Sequence, residues 1–199
     1  MDMINEKVEG VKEAEKVGKA FMWSHALSGG GGFMMMQATV ASYFAIFMTD
    51  TFGVPAGVLS MIVLIGSLWD AINDPMMGSI ADFTKSRWGR YRPYFIVPPV
   101  LLTIAAYFLF LNPQGLSTNQ KIIYCAVFYI IFQMLVTVCT MPQMAVLPAH
   151  VKNGNERNKV IILGTIFVAL AFTIATSFYA QLTDFFGGLG NLMLVYGIL

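Results

Sequence analysis

Asp70 and Asp74 stand four residues apart, with Asn73 beside them, inside a stretch that is otherwise almost wholly apolar. On a helix this spacing puts both carboxylates on one face, with the amide alongside. An ionised carboxylate at the centre of a membrane helix costs about 2.5–3.5 kcal/mol on insertion scales, so the pair needs compensation. Two neighbouring carboxylates also repel: either one takes a proton or a cation lies between them. Oxygen-only ligands favour a hard cation such as Na⁺, Li⁺ or H⁺ over a soft metal. The bland alternative is a pair near the end of its segment that reaches water, because Asp82 follows Asp74 closely. Against it, Asp70 is followed by ten largely apolar residues, and acids inside a membrane are functional by default. Pro75 removes the backbone donor for the Ala71 carbonyl, which frees an oxygen for an ion or permits a kink.

The elements that must hold these groups follow from composition. Of 199 residues, 57% are hydrophobic and 12% charged, whereas soluble domains carry about 25% charged residues. Five segments have the length and hydropathy of membrane spans: 27–48, 56–80, 94–111, 122–148 and 160–182. A sixth begins near 191 and reaches 199; as a helix it covers about 14 Å of a hydrocarbon core roughly 30 Å thick. The expected architecture is an all-α membrane protein, a tail over 1–24 followed by a helix bundle over 25–199 with its sixth helix cut short. Eleven of the 12 basic residues fall in the tail and in the loops after the second and fourth spans; Lys121 is the exception. Positive-inside bias then places the N-terminus in the cytoplasm, in a multi-pass protein of the cytoplasmic membrane. The charged start does not read as a cleavable signal peptide. Cys125 and Cys139 share one predicted helix, about 21 Å apart by rise, too far to bridge. The tail reads as solvated, with a weak interfacial helix as the other possibility.

The loop after the second span, GSIADFTKSRWGRYRP, combines Gly78, Asp82, Arg87, Gly89 and Arg90. Glycine permits tight turning, and an acid can pair with a guanidinium or face a helix N-terminus. A plain topological anchor needs only the positive charges, so the mixed pattern suggests a conformational latch on the cytoplasmic face.

The run WDAINDPMMG…D…SRWGRYRPY closely resembles the signature of the glycoside–pentoside–hexuronide:cation symporters, the melibiose permease-like family of the major facilitator superfamily. MTDTFGV, TMPQMAVLP and NERNKV fall where that family has corresponding features. The resemblance implies a twelve-helix transporter of two six-helix halves, of which this chain is most of the first, its partner being the missing C-terminal half. It also implies sugar uptake driven by a Na⁺, Li⁺ or H⁺ gradient through alternating access, with no other cofactor. The family's cation site carries over to Asp70, Asn73, Asp74 and Thr137, all of which keep oxygen chemistry.

The implied sugar site departs from the family pattern. The positions where melibiose-type members carry two acids, an aromatic and an arginine are occupied here by Met34, Thr140, Met144 and Thr165. Hydroxyl groups need directional acceptors, and methionine sulfur is a weak one. Gln37, Thr39, Gln133, Thr140 and Gln143 are the polar residues able to replace them, with interhelical bonding of about 0.6 kcal/mol each as the plainer role. Gln37, Thr140, Gln143, Met34 and Met144 are therefore the candidate solute residues. A less polar glycoside, or another organic solute, suits them better than a charged uronide. The run Gly29 to Gly32 fits close helix packing or a bend, without deciding between them.

Other classes fit less well. His25 and His150 are far apart in sequence and in no metal or triad spacing, and no phosphate-binding glycine loop appears. An enzyme is thus not expected, nor a nucleic-acid partner; lipid and a small solute are. A truncated scaffold that does not transport is the remaining alternative.

Overall fold

The computed structural model describes residues 17–87 and 91–198. Most of the tail, together with Gly89 and Arg90 of the expected latch, lies outside the described residues. Those that are described form eight α-helices: α1 (Lys19–Gly30), α2 (Gly32–Ile46), α3 (Ala56–Phe83), α4 (Arg92–Leu109), α5 (Thr118–His150), α6 (Gly154–Ser177), α7 (Tyr179–Phe185) and α8 (Leu189–Ile198). A π-helical turn, Phe47–Thr51, closes α2. Five of these stretches are long and apolar enough to cross a membrane, the first being α1, α2 and the turn together as Lys19–Thr51. The chain is an all-α, multi-pass membrane protein.

Helix ends differ from the hydropathy segments because polar first turns are invisible to an apolar window. The α5 helix begins at Thr118 through a capping box, in which the Gln120 side chain accepts from the Ser117 backbone N–H at 2.9 Å. The α6 helix begins at Gly154 because the Asn153 side chain accepts from the Asn155 N–H at 2.9 Å. The fifth apolar segment is broken at Phe178 into α6 and α7. Likewise α1 starts at Lys19, ahead of the apolar segment that it leads into.

The glycine run acquires a role at each position. Gly31 is non-helical (φ −85°, ψ −146°) and separates α1 from α2. Gly30 is where α1 crosses α6: a Cβ there would lie 2.5 Å from the Phe167 carbonyl carbon and 2.7 Å from the Val168 nitrogen. At Gly29 a Cβ would instead meet the Gln143 amide nitrogen at 2.7 Å. Gly32 is buried at the start of α2.

In the bundle α1 packs on α6, α2 on α6 and α8, α3 on α5, and α4 on α5 and α8. Phe52, Phe132, Met36, Met48, Leu102 and Leu192 are almost fully buried at its centre, and Phe44 stacks on Tyr129 at 4.6 Å. Outward, α3 presents Met61, Leu64, Leu68 and Ile72, each 59–66% exposed. Such a stripe is a liability in water and a natural lipid-facing surface. Lys121, the exception to the charge bias, is a tether: its Nζ donates to the Phe52 carbonyl at 2.8 Å and lies over the Phe52 ring.

A smaller cluster of Leu147, Val151 and Val160 closes one end, packed with Val17, Phe21 and Met22. Phe21 stacks with His25 (5.8 Å) and with His150 (5.6 Å), so the fold unites the two histidines around one ring.

Candidate cation and solute site

The α3 and α5 helices meet in a fixed register. Gln133 Nε2 donates to Asp70 Oδ2 at 2.8 Å and Thr137 Oγ1 donates to Asp74 Oδ1 at 2.9 Å, each pair 63 residues apart. One turn earlier, Gly66 faces Tyr129 at the same offset, and a Cβ on Gly66 would lie 2.6 Å from the Tyr129 ring. A constant offset over three successive turns means that the helices run parallel. The four-residue spacing of the acids is therefore matched by that of their donors.

Asp70 keeps its second oxygen, Oδ1, buried and without a hydrogen-bond partner among the described residues. Asn73 is fully buried, and neither atom of its amide has a partner there. Leaving a buried polar group unmatched costs about 1–3 kcal/mol. Thr137 is buried and uses its proton on Asp74, which leaves oxygen lone pairs. Asp70 Oδ1, the Asn73 oxygen, Asp74 and Thr137 Oγ1 thus offer two acidic and two neutral oxygens with free lone pairs, and oxygen donors suit a hard cation rather than a soft one. Among the described residues no three His, Cys, Asp or Glu side chains gather as a metal site would require. Pro75 lies inside an unbroken α3, and its own carbonyl accepts from the Ser79 hydroxyl at 3.0 Å.

Both acids line a cavity of about 840 Å³, within the size range of small-molecule sites. Met34 and Gln37 reach it from α2, and Thr137, Thr140, Gln143 and Met144 from α5, so every candidate solute residue is on its wall. Asn73 is not; it sits behind the wall. Thr165 is not either: it is exposed, and its hydroxyl donates to the Ile161 carbonyl. Thr39 is buried and donates to the Met35 carbonyl. Thr140 donates to the Val136 carbonyl at 2.8 Å, which leaves it an acceptor toward the cavity. His25, Gly29 and Arg157 also line the space, and sequence reasoning missed all three. It also missed the bond from Gln133 to Asp70, whose only sequence signal is the spacing of Gln133 and Thr137 matching that of the acids.

Of the latch residues, Gly78 makes no close approach: a Cβ there would meet nothing within 4 Å. Asp82 lies at the end of α3 and Arg87 is exposed beyond it. A different pair joins α3 to α4, with the Thr84 and Tyr94 hydroxyls 2.6 Å apart.

A family model described as MFS/sugar transport protein matches residues 26–199. The chain belongs to that family. Its members are transporters, not enzymes. Within the MFS/sugar transport family the chain is 30% identical over 183 residues to an uncharacterized symporter, YnaJ, of Bacillus subtilis, covering 92% of this chain and 38% of that protein. It is 40% identical over 106 residues to the inner membrane symporter YicJ of Escherichia coli, covering 53% and 23%. It is also 29% identical over 149 residues to the isoprimeverose transporter of Lactiplantibacillus pentosus, covering 75% and 31%. The chain therefore spans less than two-fifths of the length of these relatives.

Proposed function

We propose that this chain forms the N-terminal half of a secondary active transporter that couples Na⁺ or H⁺ uptake to uptake of a sugar or glycoside. Asp70, Asn73, Asp74 and Thr137 hold the cation, and Gln37, Thr140 and Gln143, with Met34 and Met144, face the solute. The observation that carries this reading is the placement of both acids, each held by a donor from α5, on the wall of one large cavity. A cation bound there neutralises the wall against which the solute rests, so each ligand improves the site for the other. Relatives named as an isoprimeverose transporter and as lactose permeases support a sugar. Met34, Met141, Met144 and Phe33 on the same wall favour a second reading, a less polar glycoside or another organic solute. The basic loops support a cytoplasmic-membrane location with the N-terminus inside, where Asp82 and the arginines of the following loop serve as the cytoplasmic latch.

The test is uptake by the full-length protein in vesicles, with a panel of glycosides, pentoses and uronides, under Na⁺ and H⁺ gradients. Asp70→Asn and Asp74→Asn are each expected to abolish gradient-driven accumulation while the protein still inserts. Unchanged cation-dependent uptake in both variants refutes the assignment.

A further inference from the structure

We propose that Gln133 is a positioning residue that relays occupancy of the cation site to the solute cavity. The inference rests on the cation-site reading above and gives Gln133, so far a donor to Asp70 and one of several polar residues near the solute, a role that joins the two sites.

A carboxylate oxygen accepts, so the amide group facing Asp70 Oδ2 at 2.8 Å is the N–H. The amide is planar, and fixing Nε2 against Asp70 fixes the direction of Oε1 as well. That oxygen accepts from no described residue and is not among the buried unpartnered atoms, while the residue itself lines the cavity. Gln133 therefore touches the acid with one atom and presents another to the space where a solute would sit.

The bond also aims Asp70. With Oδ2 tied to Gln133, rotation of the carboxylate is restrained, and Oδ1 remains the buried oxygen left for a cation. A cation at Oδ1 draws charge from the carboxylate and weakens the pull on the amide N–H. A donor arriving at Oε1 polarises the amide and strengthens that same bond, in the way that hydrogen-bond chains reinforce one another. Thr137 also touches an acid and the cavity, but one hydroxyl oxygen serves it as both donor and acceptor. Among the described residues that touch both an acid and the cavity, Gln133 separates the two functions onto different atoms.

Na⁺ alone is a sufficient probe. In the full-length protein, a cysteine is placed at Gln37 or, separately, at Met144, and its alkylation rate is followed with and without Na⁺. Cys125 and Cys139 are buried, and alkylation of the protein without an added cysteine sets the background. With Gln133 present, Na⁺ is expected to change the rate at both reporters by at least threefold. In Gln133→Leu, Na⁺ measured by calorimetry still binds, within about tenfold of the parent affinity, but the rate change is lost. An undiminished rate change in Gln133→Leu overturns the inference, as does a parent protein that binds Na⁺ with no change at either reporter. Failure of Na⁺ and Li⁺ to bind the unsubstituted protein overturns the metal-ion reading of the site, and the relay with it.

Discussion

Adjacent glycines 29 and 30 should respond differently to the same substitution. At Gly30 an alanine Cβ would meet backbone, 2.5 Å from the Phe167 carbonyl carbon and 2.7 Å from the Val168 nitrogen. Ordinary contacts of this kind are about 3.5–4.0 Å, so α1 and α6 must part by about 1 Å. Overpacking costs about 1–3 kcal/mol, with the upper end expected where the obstacle is backbone. Removing a helical glycine returns about 1 kcal/mol, so the net loss for Gly30→Ala is about 2 kcal/mol. At Gly29 the obstacle is the far end of a flexible side chain, the Gln143 amide at 2.7 Å. Moving it off its rotamer costs about 0.5–1.5 kcal/mol, which the lost glycine entropy roughly cancels. Gly29→Ala should therefore leave thermal unfolding of the full-length protein unchanged, whereas Gly30→Ala lowers the midpoint. In solute uptake the order reverses in kind: Gly29→Ala displaces an amide on the cavity wall and should raise the half-saturating solute concentration at least threefold. Equal unfolding midpoints for the two variants would refute the argument.

Three further outcomes are expected. Gly66→Ala drives a Cβ into the Tyr129 ring, prises α3 from α5, and should weaken Na⁺ binding at least tenfold by calorimetry; adding Tyr129→Leu should recover part of the loss. Asn153→Ala removes the α6 cap, costs about 1 kcal/mol, and should speed amide exchange at Asn155 and Glu156. A cysteine at Gln114 should react with an impermeant maleimide added outside intact cells, and one at Asn155 only after permeabilisation; the reverse pattern would overturn the assigned orientation.

The spans were legible because burial in lipid leaves its mark on every residue of a segment, and an average over about 20 positions recovers it. Asp70 and Asp74 were legible because charge is scarce there. Gln133 was not, since a glutamine in an apolar helix has many possible partners, and its partner depends on the register of α3 against α5. The break at Gly31 was half visible: four glycines suggested a bend or close packing, and the structure assigns bending to one and close approach to Gly29 and Gly30. The meeting of His25 and His150 around Phe21 depends on the crossing of α1 and the end of α5, which no local pattern records. The counted equivalence at Thr165 failed for a similar reason: its position on α6 turns away from the cavity, and only the helix's rotation shows it.

The offset shared by Gly66, Asp70 and Asp74 acts as a detent. A slide of one turn, about 5.4 Å, in the direction that brings Tyr129 to Asp70 and Gln133 to Asp74 would again present each acid with a polar neighbour; the opposite slide would set Asp74 against Met141. Hydrogen bonding alone would therefore tolerate the first of these wrong alignments. What forbids it is the notch at Gly66, the place where the Tyr129 ring has room. The two helices are thus pinned as one beam, and a cation bound there, as proposed, would travel with the beam. Movement in this part of the molecule then falls to the joints outside it, at Gly31 and at Phe178.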